Sequence, residues 1–361
     1  MSFRDHLAHP DIGIEAHVAA RRAALAESLR PRLPIYLDTR FWVMAREVLD
    51  GTSVRPDERA IVERLQRLVE VGRAFCPIAE PSFSELMKQG DPERRARTAR
   101  VMEQLGCRVA IDNEVGRMVA EAECLLVSRL GTGRSAALPA AWTSASFVLG
   151  EVYPVETGFP AGQELAIQKE TFDRIWESPI ADVALSMDSA LYTGAEELEA
   201  GARRLTEENA RYRAGLRSFD KLLEQEFHGT ALTIVEHAPR LPALLAPFAA
   251  SMPITPSAVF TNAIREMLKN PDHARLMPTA HVQAVLHALF RWEYRDKPIS
   301  ANDLVDFRHA AAALSRCGLM LVEGELGRTL RHKRFPLAEF HGCTVVSDRA
   351  EAVRELDRLL D

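Results

Sequence analysis

Leu33-Pro-Ile-Tyr-Leu-Asp-Thr-Arg-Phe-Trp42 is the stretch from which the fold is read. Ile35, Tyr36 and Leu37 form a short continuous apolar run that closes on Asp38. A run of this length, bounded by proline and an acid, predicts a strand buried on both faces. Helical spacing follows at once in Phe41, Trp42, Met44, Ala45, Val48 and Leu49, and Asp50-Gly51 ends it. A buried strand leading directly into an amphipathic helix is half of a βαβ unit.

Working outward, residues 5 to 30 read as one N-terminal helix, stopped by Pro31 and Pro34. Arg59 to Gly72 places Ile61, Val62, Leu65, Leu68 and Val69 on one face of a helix. Ala74 to Ile78 reads as a second strand. Glu80 to Gln89 reads as a helix with Ser82 as its cap, and Glu93 to Leu105 as another. Cys107 to Ile111 is a short β-like run.

From about 113 to 295 the pattern is mostly helical. Gly131-Thr-Gly133 and Tyr153 to Gly162 read as loops, Glu196 to Phe227 as a long charged helix or helix pair, and Arg240 to Pro256 as a proline-punctuated connector. The chain then returns to strand–helix alternation. Ser300-Ala-Asn-Asp303 opens a helix with acids in its first turn. Leu319 to Val322 and Cys343 to Val346 read as strands, Glu325 to Arg331 and Arg349 to Leu360 as helices. The expected class is α/β: a parallel sheet of four or five strands flanked by helices and interrupted by a large all-helical insertion. The expected divisions are an N-terminal helix over 1–32, a discontinuous α/β core over 33–112 and 296–361, and the insertion over 113–295.

Bulk properties set the class of molecule. The 361 residues are 47% hydrophobic and 27% charged, the balance of a globular chain with a real core. A net charge of −6 does not advertise nucleic-acid binding, although a local basic stripe suffices for it. The five cysteines lie apart with no CxxC spacing, which argues against a disulfide framework or a cysteine zinc site and fits a reducing cytoplasm. MSFRDHLAHPDIG lacks an apolar signal core, and no apolar run reaches the roughly 18 residues of a membrane span. The chain has no P-loop, no GxSxG elbow and no HExxH, which disfavours ATPase, serine hydrolase and zinc protease chemistry.

Chemistry is expected where acids collect. Asp38 ends the first strand, Glu85 lies in the helix after the second, Asp303 and Asp306 share a helical first turn, and Glu323 ends the strand over 319–322. Open α/β sheets bind ligands beyond the carboxyl ends of their strands. Converging carboxylates repel one another and are tolerated when a divalent cation neutralises them; Mg²⁺ and Mn²⁺ prefer such all-oxygen donors. Each acid alone also has a plainer reading, as a helix cap, a dipole complement or turn polarity.

The segment Ile35-Tyr-Leu-Asp-Thr-Arg-Phe-Trp42 resembles the first strand of a PIN-like domain. Asn302-Asp-Leu-Val-Asp-Phe-Arg-His-Ala-Ala311, followed by Cys317-Gly-Leu-Met-Leu-Val-Glu323, resembles the family's later motif. Phe83-Ser-Glu-Leu-Met87 resembles its second acidic position, with Glu80 as a rival, and Gly342-Cys-Thr-Val-Val346 its ending.

The resemblance covers under half of the chain and implies a metal-dependent ribonuclease. Asp38, Glu85, Asp306 and Glu323 would take the acidic roles, with Asp303 beside them. Asp38, Asp306 and Glu323 would hold Mg²⁺ or Mn²⁺, and RNA would be the partner. The family's last acidic position commonly carries Asp where this chain has Glu323, and PIN-like domains are usually continuous. A non-catalytic module that binds partner proteins, or a second copy, through the helical insertion is the alternative.

Around these acids, Thr39 is expected to support a metal-bound water and Asn302 to orient a carboxylate; each also reads as a helix cap. Arg40, Arg328, Arg331, Lys333 and Arg334 are the expected phosphate contacts. His309, one turn after Asp306, reads as a packing residue, as do His281 and His287. The four tryptophans read as core, and Arg94, Arg95, Arg97 and Arg100 as a solvated helix face.

Overall fold

A computed structural model describes residues 2–129, 140–187, 194–212, 218–238, 255–294 and 297–361. The elements in chain order are α1 (Phe3–Leu7), α2 (Ile14–Leu29), β1 (Leu33–Leu37), α3 (Thr39–Leu49), α4 (Pro56–Glu70), β2 (Ala74–Phe75), α5 (Glu80–Met87) and α6 (Pro92–Gly106). There follow β3 (Val109–Ile111), α7 (Glu114–Arg129), β4 (Trp142–Ser144), a 3₁₀ turn (Ala145–Phe147), α8 (Ala161–Glu177), α9 (Ile180–Ser186), α10 (Gly194–Tyr212) and α11 (Phe219–His237). The chain closes with α12 (Pro256–Lys269), α13 (Pro271–Ala274), α14 (Pro278–Glu293), α15 (Ala301–Arg316), β5 (Leu319–Leu321), α16 (Gly324–Leu330), α17 (Leu337–His341), β6 (Thr344–Val346) and α18 (Arg349–Leu360). No described helix is long and apolar enough to cross a membrane.

Four strands make one parallel sheet in the order β2-β1-β5-β6. Ile35, Tyr36 and Leu37 pair with Leu319, Met320 and Leu321, so β1 and β5 are the central strands. Ile35, Tyr36 and Leu37 have no exposed surface, which explains their unbroken apolar character. Alternation sorts the side chains onto two faces. Ile35, Leu37, Leu319, Leu321 and Val346 share a core with residues of α3, α4, α6 and α18. Tyr36, Met320, Val322 and Val345 share another with α7, α11, α12, α14, α15 and α16.

This topology has a switch point. From β1 the chain passes through α3 and α4 to β2 on one side; from β5 it passes through α16 and α17 to β6 on the other. The two connections leave the central strands in opposite directions and open a crevice between their carboxyl ends. That is where doubly wound sheets bind ligands.

Some expectations change. The N-terminal stretch is two helices, because Pro10 lacks an N–H and Gly13 caps α2 in an extended conformation. Ser82 is not a cap: it is buried inside α5, whose N-cap is Ala79. The run over 107–111 meets the chain beyond β2 through one isolated parallel bridge, Ala110 to Ile78, and is not a fifth strand of the parallel sheet. Cys107 and Arg108 have positive φ at the end of α6 and turn the chain, and β3 pairs antiparallel with β4, a strand inside the stretch expected to be all helical. The charged stretch over 196–227 is a helix pair, α10 and α11. Of the arginines expected on a solvated face, Arg95 is buried. The loop over 131–133 and most of the connector over 240–256 lie outside the described residues.

Within 113–295, residues of α7, α11, α12 and α14 share a core with one face of the sheet, while Ala145, Val148 and residues of α9 join the core on the other. A buried polar centre joins α7 and α14 to α15. Glu121 of α7 has no exposed surface; its carboxylate accepts from Arg316 of α15 at 2.8 Å and from the Thr279 backbone N–H and hydroxyl at 3.0 and 2.8 Å. Removing one member of such a pair strands the other in a medium that cannot solvate it. Glu121→Ala is therefore expected to lower unfolding stability by about 3–5 kcal/mol, measured by urea denaturation.

Candidate functional site

The crevice is built from Asp38 outward. As N-cap of α3, Asp38 accepts from the backbone N–H groups of Arg40 and Phe41 at 2.9 and 3.4 Å through Oδ1. Its Oδ2 accepts from the backbone N–H of Glu323 at 2.9 Å. One carboxylate thus caps a helix and ties the end of β1 to the end of β5. Burial pushes its pKa above the ordinary value, and the three backbone donors work against that rise.

Glu85 reaches the same place from α5. Its Oε2 accepts from the Thr39 hydroxyl and lies 3.2 Å from His309 Nε2. The other ring nitrogen of His309 lies 2.6 Å from the Tyr36 hydroxyl. Tyr36 is buried and desolvation raises its pKa well above the ordinary value, so its O–H stays protonated beside His309 Nδ1. His309 Nε2–H then donates to Glu85. Burial of Glu85 opposes ionisation, but the His309 hydrogen bond and charge, with the Thr39 hydroxyl, outweigh it and hold the pKa below the usual value.

Asp306 stands on α15, open to the cleft yet crowded by protein that displaces much of its water. Its pKa is pushed up to about 6, first by desolvation and then by the charges of Glu85, Asp303 and Asp38, with His309 pulling the other way. These acids therefore sense one another.

The other expected residues are placed differently. Asp303 forms a capping box with Ser300, accepting from its backbone N–H and hydroxyl at 2.8 and 2.6 Å, and Lys297 Nζ lies 3.4 Å from its other oxygen. Glu323 joins the site through its backbone, while its carboxylate accepts from Arg349 at 3.1 Å. Arg349 also pairs with Glu58 at 3.0 Å and Asp57 at 3.4 Å. Asn302 is exposed on the first turn of α15. Glu80, the rival to Glu85, pairs with Arg308 at 3.4 Å.

Among the basic residues, Arg40, Arg328 and Lys333 are exposed. Arg331 donates to the Gly327 carbonyl at 3.1 Å and to Ser347 Oγ at 2.8 Å. The Arg334 guanidinium lies over the Phe219 ring at 4.4 Å.

His309 was read as packing, and it is buried, but it is also the link between Tyr36 and Glu85. Its spacing of three from Asp306 was the available signal. The insertion supplies what local motifs could not reveal. A cleft of about 220 Å³ beside Asp303 and Asp306 is walled by Phe290 and Tyr294 from the end of α14, together with Phe307, Lys297 and Glu325. Lys297 Nζ sits 5.2 and 5.3 Å from the Phe290 and Tyr294 rings, and the Tyr294 hydroxyl donates to Glu325.

No family model, curated protein or solved structure matches the chain.

Asp306 yields a pH-dependent test. Its folded pKa lies above that of an ordinary aspartate, so the fold favours the protonated acid. The stability this contributes is present below about pH 4 and lost as pH rises through about 6. Asp306→Asn is expected to raise stability at pH 7.5, by about 1 kcal/mol after allowing for solvent screening, and to leave it unchanged near pH 4. Thermal melts at the two pH values check this.

Proposed function

We propose that this chain is a metal-dependent nuclease of PIN-like type that hydrolyses phosphodiester bonds of RNA. The supporting observation is the convergence of Asp38, Glu85 and Asp306 at the switch point between β1 and β5, with carboxylates close enough to perturb one another.

The donor set suits Mg²⁺ or Mn²⁺, since it offers carboxylate oxygens and a crevice open to water. Desolvation lifts Asp306 first, and the repulsion from Glu85, Asp303 and Asp38 that adds to it is what a divalent cation would relieve. Asp38 and Asp306 would hold the ion, with Glu85 or Glu323 as third donor. Glu323 would first have to leave Arg349, whereas Glu85 is already turned inward by Thr39 and His309. A bound ion would supply charge neutralisation at the phosphate and polarisation of the attacking water. Asp38 Oδ1 and Oδ2 stay fixed by three backbone N–H groups, which preorganises the donor. The Tyr36–His309–Glu85 chain holds Glu85 ionised and oriented. Arg40, Arg328 and Lys333 would meet the phosphates of a strand lying across the crevice.

A second reading rests on the same two departures, Glu323 paired to Arg349 and Asp303 spent on a capping box. Under it the core has lost cleavage and the helical stretch binds partner proteins.

Labelled single-stranded RNA is incubated with the purified chain and Mn²⁺ or EDTA. Cleavage is expected with Mn²⁺ only, and Asp38→Asn combined with Asp306→Asn is expected to abolish it while the melt stays cooperative. Equal cleavage by the double variant would sink the site assignment. No cleavage of any RNA tried, with no Mn²⁺ binding by calorimetry, would favour the interaction module.

A further inference from the structure

A second polar centre lies apart from the acids and owes nothing to the nuclease reading. Helix α1 has five residues, too few to persist by backbone hydrogen bonds alone. Its apolar side chains do not anchor it: Phe3 and Leu7 are 37% and 40% exposed, and His6 is its one buried residue. His6 Nε2 lies 3.2 Å from Asp173 Oδ2, and His17 Nε2 of α2 lies 2.9 Å from Asp173 Oδ1. All three residues are buried. Among the described residues, this is the group of three potential donors whose ligand atoms lie within 4.8 Å of one another.

We propose that His6, His17 and Asp173 form a binding site for one Zn²⁺-class ion that staples α1 and α2 to α8. Two imidazole nitrogens and one carboxylate oxygen are a borderline-soft set, which selects Zn²⁺ over Mg²⁺. In tetrahedral zinc sites neighbouring donor atoms stand roughly 3.3 Å apart, given metal–ligand bonds of about 2.0–2.2 Å. Asp173 turns Oδ2 to His6 Nε2 at 3.2 Å and Oδ1 to His17 Nε2 at 2.9 Å, and one ligand atom from each of the three residues lies within 4.8 Å of the others, so a small rotation of the carboxylate would bring a single oxygen to that spacing from both nitrogens. The fourth position would fall to water.

The surroundings support a closed structural site. His17 meets Phe172 edge-on with ring centres 5.8 Å apart, and Val18, Phe147 and Phe172 form the apolar core beside it. Two cations stand nearby, and each has another partner. Arg21 approaches Asp173 at 3.7 Å, but its guanidinium pairs with Glu177 at 2.5 Å and lies 5.3 Å from the Trp176 ring. The buried Lys169 ammonium donates to the His9 carbonyl at 2.9 Å and fixes the chain just beyond α1. The competing arrangement is a hydrogen-bonded latch, in which both Nε2 atoms carry protons and no ion enters.

The full chain, stripped with EDTA and dialysed, is titrated with Zn²⁺ by calorimetry and with Co²⁺ by visible absorption, and melted with and without Zn²⁺. One equivalent is expected to bind, with tetrahedral Co²⁺ colour and a Tm rise of about 3 °C at saturation. His6→Gln keeps a donor for Asp173 and so preserves a latch. It is expected to melt cooperatively without Zn²⁺ and to lose the Zn²⁺-dependent rise, as is His17→Gln. The Asp38→Asn, Asp306→Asn double variant is expected to retain it. Absence of Zn²⁺ binding by the intact chain would overturn the proposal in favour of the latch. Undiminished binding by both histidine variants would overturn it too, by placing the ion elsewhere.

Discussion

The constraint on which the rest of this structure depends is the double duty of Asp38. One oxygen caps α3 and the other holds the backbone of Glu323, so the exits of both central strands are set by a single carboxylate. Backbone donors do not rotate away as long side chains do. The geometry at the switch point is therefore rigid before any ligand arrives. The cost is a buried charge, visible in the raised pKa of Asp38 and offset by its three donors.

The remaining acids divide by where their carboxylates are held. Asp303 is used by its own helix and Glu323 by Arg349. Glu85 and Asp306 lean the other way: one is turned into the crevice by Thr39 and His309, the other stands in it at an electrostatic cost. His309 is the hinge of this division, because its two nitrogens join a core tyrosine to a site carboxylate. Burial does not keep such a residue from meeting a polar group of the crevice.

How much was legible in the sequence follows from the range of the forces involved. The central strands were readable because strands buried on both faces carry continuous apolar runs, as Ile35 to Leu37 and Leu319 to Leu321 do. The helix over 349–360 matched to the residue because Asp348 caps it locally. Asp38 and Glu85 were readable by position, after a strand and in the next helix. What escaped was set at long range. No local pattern tells that Arg349 will claim Glu323, that Tyr36 will reach His309, or that the end of α14 will wall the cleft. The N-terminal stretch reads as a single helix because a proline and a glycine three residues apart can sit in a bend or a break, and the docking of His6 onto α8 selects the break.

The pairing of β1 with β5 carries a consequence for how the chain is made. Asp38 and Glu323 are 285 positions apart, so that whole stretch must be synthesised before the central strand meets its second neighbour. Until then β1 offers one unpaired edge in a strongly apolar segment, a template for pairing with other chains. Closing so long a loop is also slow relative to forming the local helix pairs of the intervening stretch. Those helices precede β5 in the chain, and they share a core with Tyr36 and its face of the strand.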